Sequence, residues 1–142
     1  MEIARKYLAE IGTNYSEDDV LNIAKLQIKK ELELLNSSSE FIFFDTDLII
    51  IKIWLLEVYK KYPIWIDEHL QTYPADLHLL CKPDLPWYED SLRENPNKRE
   101  YLFALYKNEI EKFGMKYAII ENNGDKRFLS AIKEMEFLIG SI

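Results

Sequence analysis

Glycine is scarce: the 142 residues contain four, Gly12, Gly114, Gly124 and Gly140. None is followed by lysine and no two lie close enough to form GxGxxG or GxxxxGK, so no glycine loop is present to wrap a phosphate. Cysteine is scarcer. A single Cys81 excludes an internal disulfide and points to a reducing compartment, the cytosol. Positive charge is also short, with 18 Lys and Arg against 25 Asp and Glu and a net charge of -7. That balance disfavours duplex nucleic acid and anionic lipid surfaces, both of which reward a broad basic face. Long apolar runs are missing too. The most apolar stretch, 41–56, is interrupted by Asp45, Asp47 and Lys52, and is too short and too charged to span a bilayer. No signal-peptide pattern opens the chain, because MEIARKYLAE mixes acids and bases and no apolar segment follows.

What is present is apolar and aromatic. Hydrophobic residues make up 48% and aromatic residues 13%, enough to bury the core of one domain spanning 1–142 and too many for a disordered tail. Ile3, Tyr7, Leu8 and Ile11 recur at helical spacing and Gly12 is a suitable stop. Ser16 followed by Asp19 approximates a capping box for a helix over 17–35, whose stripe is Val20, Leu21, Ala24, Ile28, Leu32 and Leu35. Thr46 or Asp47 can cap a helix running to Pro63, and a shorter helical piece over 64–73 runs to Pro74. Trp54, Tyr59, Tyr62 and Trp65 are spaced as core. Asn95 and Pro96 open a helix through Lys112 that Gly114 closes, NNGD makes a turn, and 126–139 is a last amphipathic helix.

Three short apolar runs read as buried strands: FIFFD at 41–45, ADLHLLC at 75–81 and KYAIIE at 116–121. Strands separated by helices predict an α/β protein with a mainly parallel sheet.

Ligands of open parallel sheets bind beyond the carboxyl ends of the strands. FIFFDTD places Asp45 and Asp47 at such an end, where an acid can hold a hydrated magnesium ion or accept a proton from a hydroxyl. Equally, Asp47 can cap the next helix while Asp45 sits in the turn. The second run leads into CKPDLPWYEDSLRENPNKRE, with two of the four arginines. Arg93 and Arg99 can form a clamp on a transferring phosphoryl group from a lid over about 83–99, or can pair with Glu94 and Glu100. Trp87 can stack on a flat ring or pin the loop, and Asp90 can bind sugar hydroxyls or cap a turn. His69, His78 and Cys81 do not have the placement of a zinc site or a Cys/His dyad.

The succession ARKYLAEIG, YSEDDVLNIAKLQ, FIFFDTDLIIIKIW, LHLLCKPDLPWYEDSLRENPNKRE, YAIIE and NNGDKR resembles the ATP-binding domain of NadR-type nicotinamide riboside kinases, a domain shared with AAA-type P-loop ATPases. The resemblance covers essentially the whole chain. It implies a P-loop kinase-like parallel sheet flanked by helices, and phosphoryl transfer from MgATP to a ribose hydroxyl of a nucleoside. It implies Asp45 and Asp47 at magnesium and the hydroxyl, and Arg93 and Arg99 on the phosphates. Trp87 and Asp90 would line the nucleoside site, with Asn122, Asn123 and Gly124 near the adenine.

Members of that family begin with a strand, a GxxxxGK[ST] loop and a helix, and the match here starts only after them, at residues 2–5. The expectation is therefore an N-terminally shortened member without the central P-loop strand, lacking about 35 to 45 residues by the usual size of such a unit. Without the loop that positions the phosphates, these residues should not turn over ATP. Strand edges left open should promote self-association. The competing expectation is a non-catalytic module that keeps the fold and binds a small anion or a protein.

Overall fold

A computed structural model of the chain describes residues 3–12, 14–86 and 96–140. Among them are six α-helices and one two-stranded parallel sheet, a mixed α/β arrangement of the predicted class. The chain divides into two compact units, Met1–Leu70 and Gln71–Ile142.

The first unit is helical. Helix α1, Ile3–Ile11, ends where Gly12 takes a φ of +82° and donates to the Leu8 carbonyl, a left-handed closure that a side chain would strain. Helix α2, Glu17–Leu35, begins with a complete capping box: Ser16 Oγ accepts from the Asp19 amide, and an Asp19 carboxylate oxygen accepts from the Ser16 amide at 2.8 Å. The other Asp19 oxygen accepts from the Tyr7 hydroxyl at 3.1 Å, tying the two helices together. The buried stripe of α2 is Val20, Ile23, Ala24 and Gln27. It is rotated from the expected one: Ile23 is fully covered, whereas Leu35 is exposed beside the helix end.

Helix α3, Leu48–Tyr59, is apolar on nearly every side, and its first two turns are buried almost without interruption. It stops at Tyr59 rather than at Pro63 because Lys60 adopts a φ of +59° and returns its amide to the Leu56 carbonyl. Helix α4, Trp65–Thr72, follows and buries Ile66 and Leu70. The predicted aromatic core is half-buried: the Trp54 indole packs edge-on to Tyr15 and donates to its hydroxyl at 3.1 Å.

FIFFD is not a strand. Residues 41–44 carry no regular structure, and no described residue of Met1–Leu70 lies in a strand that could supply a ladder. Phe41 and Phe43 are exposed, so the apolar run is neither covered on both faces nor paired: a continuous apolar pattern does not by itself supply the neighbour that a strand needs.

The second unit holds the sheet. Strand β1, His78–Cys81, pairs with β2, Tyr117–Ile120, in parallel, from His78 opposite Tyr117 to Cys81 opposite Ile120. Both are shorter than predicted, since each lasts only as long as its ladder. Between them a 3-10 turn, Pro96–Lys98, leads into helix α5, Arg99–Lys112, which closes at Gly114 with a φ of +65°. Helix α6, Gly124–Gly140, follows β2 and starts inside the expected turn. No described helix is long and apolar enough to cross a membrane.

Candidate functional site

In the first unit the two predicted acids flank a strained residue. Thr46 has a φ of +79°, a region that a β-branched side chain rarely enters and that costs about 1–3 kcal/mol. Two contacts hold it there. The buried Gln27 amide donates to the Thr46 carbonyl at 2.9 Å, and on its far side Asp47 is the N-cap of α3, its Oδ1 accepting from the Ile49 amide at 2.9 Å. Asp47 therefore performs the capping role. Asp45, one residue before the strained turn, is exposed and lies on the wall of a groove of about 460 Å³ that Lys6, Lys29, Lys30, Phe43 and Phe44 also line.

Close to this turn is a pair that sequence spacing did not indicate. His69 Nε2 of α4 lies 3.3 Å from Glu31 Oε2 of α2, both largely withdrawn from water. Burial pushes the Glu31 carboxyl up, the His69 charge and hydrogen bond pull it down, and the Asp47 charge adds to the upward push. Gln27 and Glu31 stand one turn apart on α2, so the same helix face serves the strained turn and the histidine.

In the second unit the polar groups gather at the carboxyl ends of β1 and β2. Arg127, in the first turns of α6, donates from Nη1 to Asp84 Oδ1 at 2.7 Å and to the Asn122 carbonyl at 2.8 Å, and from Nη2 to the Lys82 carbonyl at 2.9 Å. Asp84 Oδ2 accepts from the Asn122 amide at 2.8 Å. The Arg127 hydrogen bond holds the Asp84 carboxyl below the usual carboxylate range against the opposing push of desolvation, and the Asn122 amide adds to the lowering. Asn122 takes a φ of +73°, which asparagine tolerates.

Of the predicted site residues here, Asn122 is inside this network, while Asn123 and Gly124 are exposed beside it. Arg99 donates to the Leu85 carbonyl at 2.7 Å and so holds the same loop that Arg127 holds. Trp87, Asp90 and Arg93 lie outside the described residues. Asp84 and Arg127 were missed; the only signal was their position just past two predicted strands.

Among the described residues no group of three His, Cys, Asp or Glu could hold a metal ion. Magnesium often takes one or two carboxylates and fills its remaining positions with water and phosphate oxygens, so Asp45 fits as a single ligand. No glycine loop exists in the sequence, and the guanidiniums of Arg99 and Arg127 hold main-chain and carboxylate oxygens.

Residues 1–127 match the family model of an AAA domain. No solved structure matches the chain.

Proposed function

Because the chain belongs to this AAA-domain family, a P-loop NTPase-like group, we propose that it is a nucleotide-handling domain of the nucleoside-kinase type. Its substrate class is a ribonucleoside such as nicotinamide riboside, with MgATP as phosphoryl donor. The family match over residues 1–127 supports the nucleotide-binding part of this reading, and the kinase type rests on the sequence resemblance of FIFFDTD and DLPWYEDSLR.

In this reading Asp45 accepts the proton of the ribose hydroxyl or contributes one oxygen to magnesium, since it is exposed on a groove wall and not engaged as a cap. Asp47 fixes the start of α3 and thereby the direction in which Asp45 points. Arg93 and Arg99 are the phosphate-facing cations, and Arg99 must exchange the Leu85 carbonyl for a phosphate oxygen to serve. Trp87 and Asp90 recognise the nucleoside, and the turn of Asn122, Asn123 and Gly124 faces the adenine. The 142 residues contain no GxxxxGK motif to cradle the β- and γ-phosphates, so on this reading they do not turn over ATP unaided.

That missing loop also supports a second reading, a non-catalytic module that binds a small anion or a protein. Calorimetric titration with nicotinamide riboside, ADP and MgATP, beside an assay for riboside phosphorylation, separates the two. The kinase-type reading expects nucleoside binding that Asp45→Asn weakens, without turnover. Binding of none of the three compounds sinks it in favour of the second reading, and turnover by the chain alone overturns the account of the absent loop.

A further inference from the structure

We propose that Gln27 is a positioning residue for Asp45: it holds the Thr46 carbonyl and so keeps the turn between the two acids left-handed, with Asp45 on the groove wall. What Asp45 does there rests on the nucleoside-kinase reading; how it is held does not. Thr46 is the outlier, at a φ of +79°. A β-branched residue stays in that region only when its surroundings force it, and such strain collects at functional turns. On the far side the turn is anchored, because Asp47 caps α3 and the next residues, Leu48 and Ile49, are 1% and 2% exposed. On the near side residues 41–44 carry no regular structure. Relaxation of Thr46 to a negative φ therefore leaves α3 in place and swings Asp45.

The restraint comes from α2. Gln27 is 6% exposed and shares the buried stripe of that helix with Val20, Ile23 and Ala24. An amide in such a setting is costly unless it is bonded, and a methionine of similar length would fill the place without desolvation. The bond it makes runs 2.9 Å from Nε2 to the Thr46 carbonyl. Gln27 and Asp45 line the same groove, so the restraint acts at the wall where the acid stands. Two locally unfavourable choices, a buried amide and a β-branched residue at positive φ, thus meet at one carbonyl, next in sequence to an exposed acid. Departures of this kind from local preference are expected where geometry serves a site.

The full chain tests this as the parent, as Gln27→Met, as Thr46→Gly and as the double variant. The quantities read are the residual dipolar coupling of the Asp45 amide against those of α2 and α3, the melting temperature, and nicotinamide riboside affinity by calorimetry. Gln27→Met should turn the Asp45 amide and weaken the riboside by about tenfold, the worth of one well-placed hydrogen bond. Adding Thr46→Gly, which enters positive φ without a restraint, should restore the orientation and bring affinity back to within about threefold of the parent. Thr46→Gly alone should keep the parent orientation and melt a few degrees higher, because strain is relieved. An Asp45 amide that keeps its orientation in folded Gln27→Met overturns the proposal, and so does a turned one that Thr46→Gly fails to bring back. Should Gln27→Met not fold, Thr46→Gly alone decides: a melting temperature no higher than the parent's shows that Thr46 stores no strain for Gln27 to hold, and overturns it. If the parent binds no riboside while Gln27→Met still turns Asp45, the kinase-type reading fails and the positioning stands. Riboside binding that Asp45→Asn weakens and folded Gln27→Met leaves intact sinks the positioning and spares that reading.

Discussion

The Lys52 ammonium lies 2.8 Å from an Asp67 carboxylate oxygen with its side chain withdrawn from solvent, and 4.6 Å from the centroid of the Tyr62 ring. The Tyr62 hydroxyl donates to the other Asp67 oxygen at 2.9 Å. One carboxylate thus answers a buried cation from α3 and a phenol from the turn before α4. The arrangement ties the two helices by charge as well as by Ile66 and Leu70.

Breaking that pair should be costly. Lys52→Ala leaves the Asp67 carboxylate without its cation and opens a cavity, and a loss of about 3–5 kcal/mol is expected. Replacing both members, Lys52→Met with Asp67→Leu, should recover most of it, because the desolvation of two charges disappears together. Urea unfolding of the single and double variants measures the difference.

Asp47 can be dissected by two substitutions. Asp47→Ala removes the N-cap of α3 and should cost about 1 kcal/mol, while Asp47→Asn keeps an accepting oxygen for the Ile49 amide and should melt close to the parent. Magnesium binding that Asp47→Asn abolishes without a change in melting would assign the carboxylate to the metal instead.

Glu31 should make stability depend on pH in a definite direction. Its carboxyl is pushed up chiefly by burial, so the folded state holds the proton more tightly than the unfolded chain. The associated stability is present in acid and is lost as pH rises through the raised folded value. Glu31→Gln, which retains a partner for His69, should therefore gain on the parent as pH rises through that value. Urea midpoints across the range check the sign; a parent that gains on the variant instead would show that the His69 interaction outweighs burial.

Asp84 should behave in the opposite way. Its carboxyl is held low chiefly by the Arg127 hydrogen bond, so its contribution is present above the ordinary carboxylate value and is lost as pH falls through the lowered one. Arg127→Ala should lower the unfolding midpoint near neutrality and flatten the acid limb between about pH 5 and about pH 2, where carboxylates titrate. Parallel acid titrations of parent and variant, followed by circular dichroism, measure both effects.

The parts of the fold that were legible in the sequence are those decided within a few residues. Ser16 and Asp19 announce the start of α2, Gly12 and Gly114 mark helix ends, and the two short runs that contain β1 and β2 stand out between helices. The run at 41–45 reads as a strand for the same local reason, yet a strand also needs a neighbour, which no local pattern supplies. Asp45 and Asp47 were visible as acids at a helix start. The left-handed turn at Thr46 between them was not, because its cause is Gln27, nineteen residues earlier on another helix. The pairs Glu31 with His69 and Asp84 with Arg127 join residues 38 and 43 positions apart, and only the folded chain brings them together. Arg99 shows a further limit: a guanidinium suited to phosphate is equally suited to a carbonyl, and here Leu85 supplies one.

The parallel pairing of His78–Cys81 with Tyr117–Ile120 also sets an order of events in time. No tight turn can join two parallel strands, so the ladder closes only after the whole crossover, α5 included, has been gathered in. The entropy of that closure is lost before the first interstrand bond forms. Helices α1 to α3 of Met1–Leu70, by contrast, are separated by short connections and nucleate on contacts nearer in sequence. In pulse-labelled refolding their amides should gain protection from hydrogen exchange first, and those of Leu79 to Cys81 last.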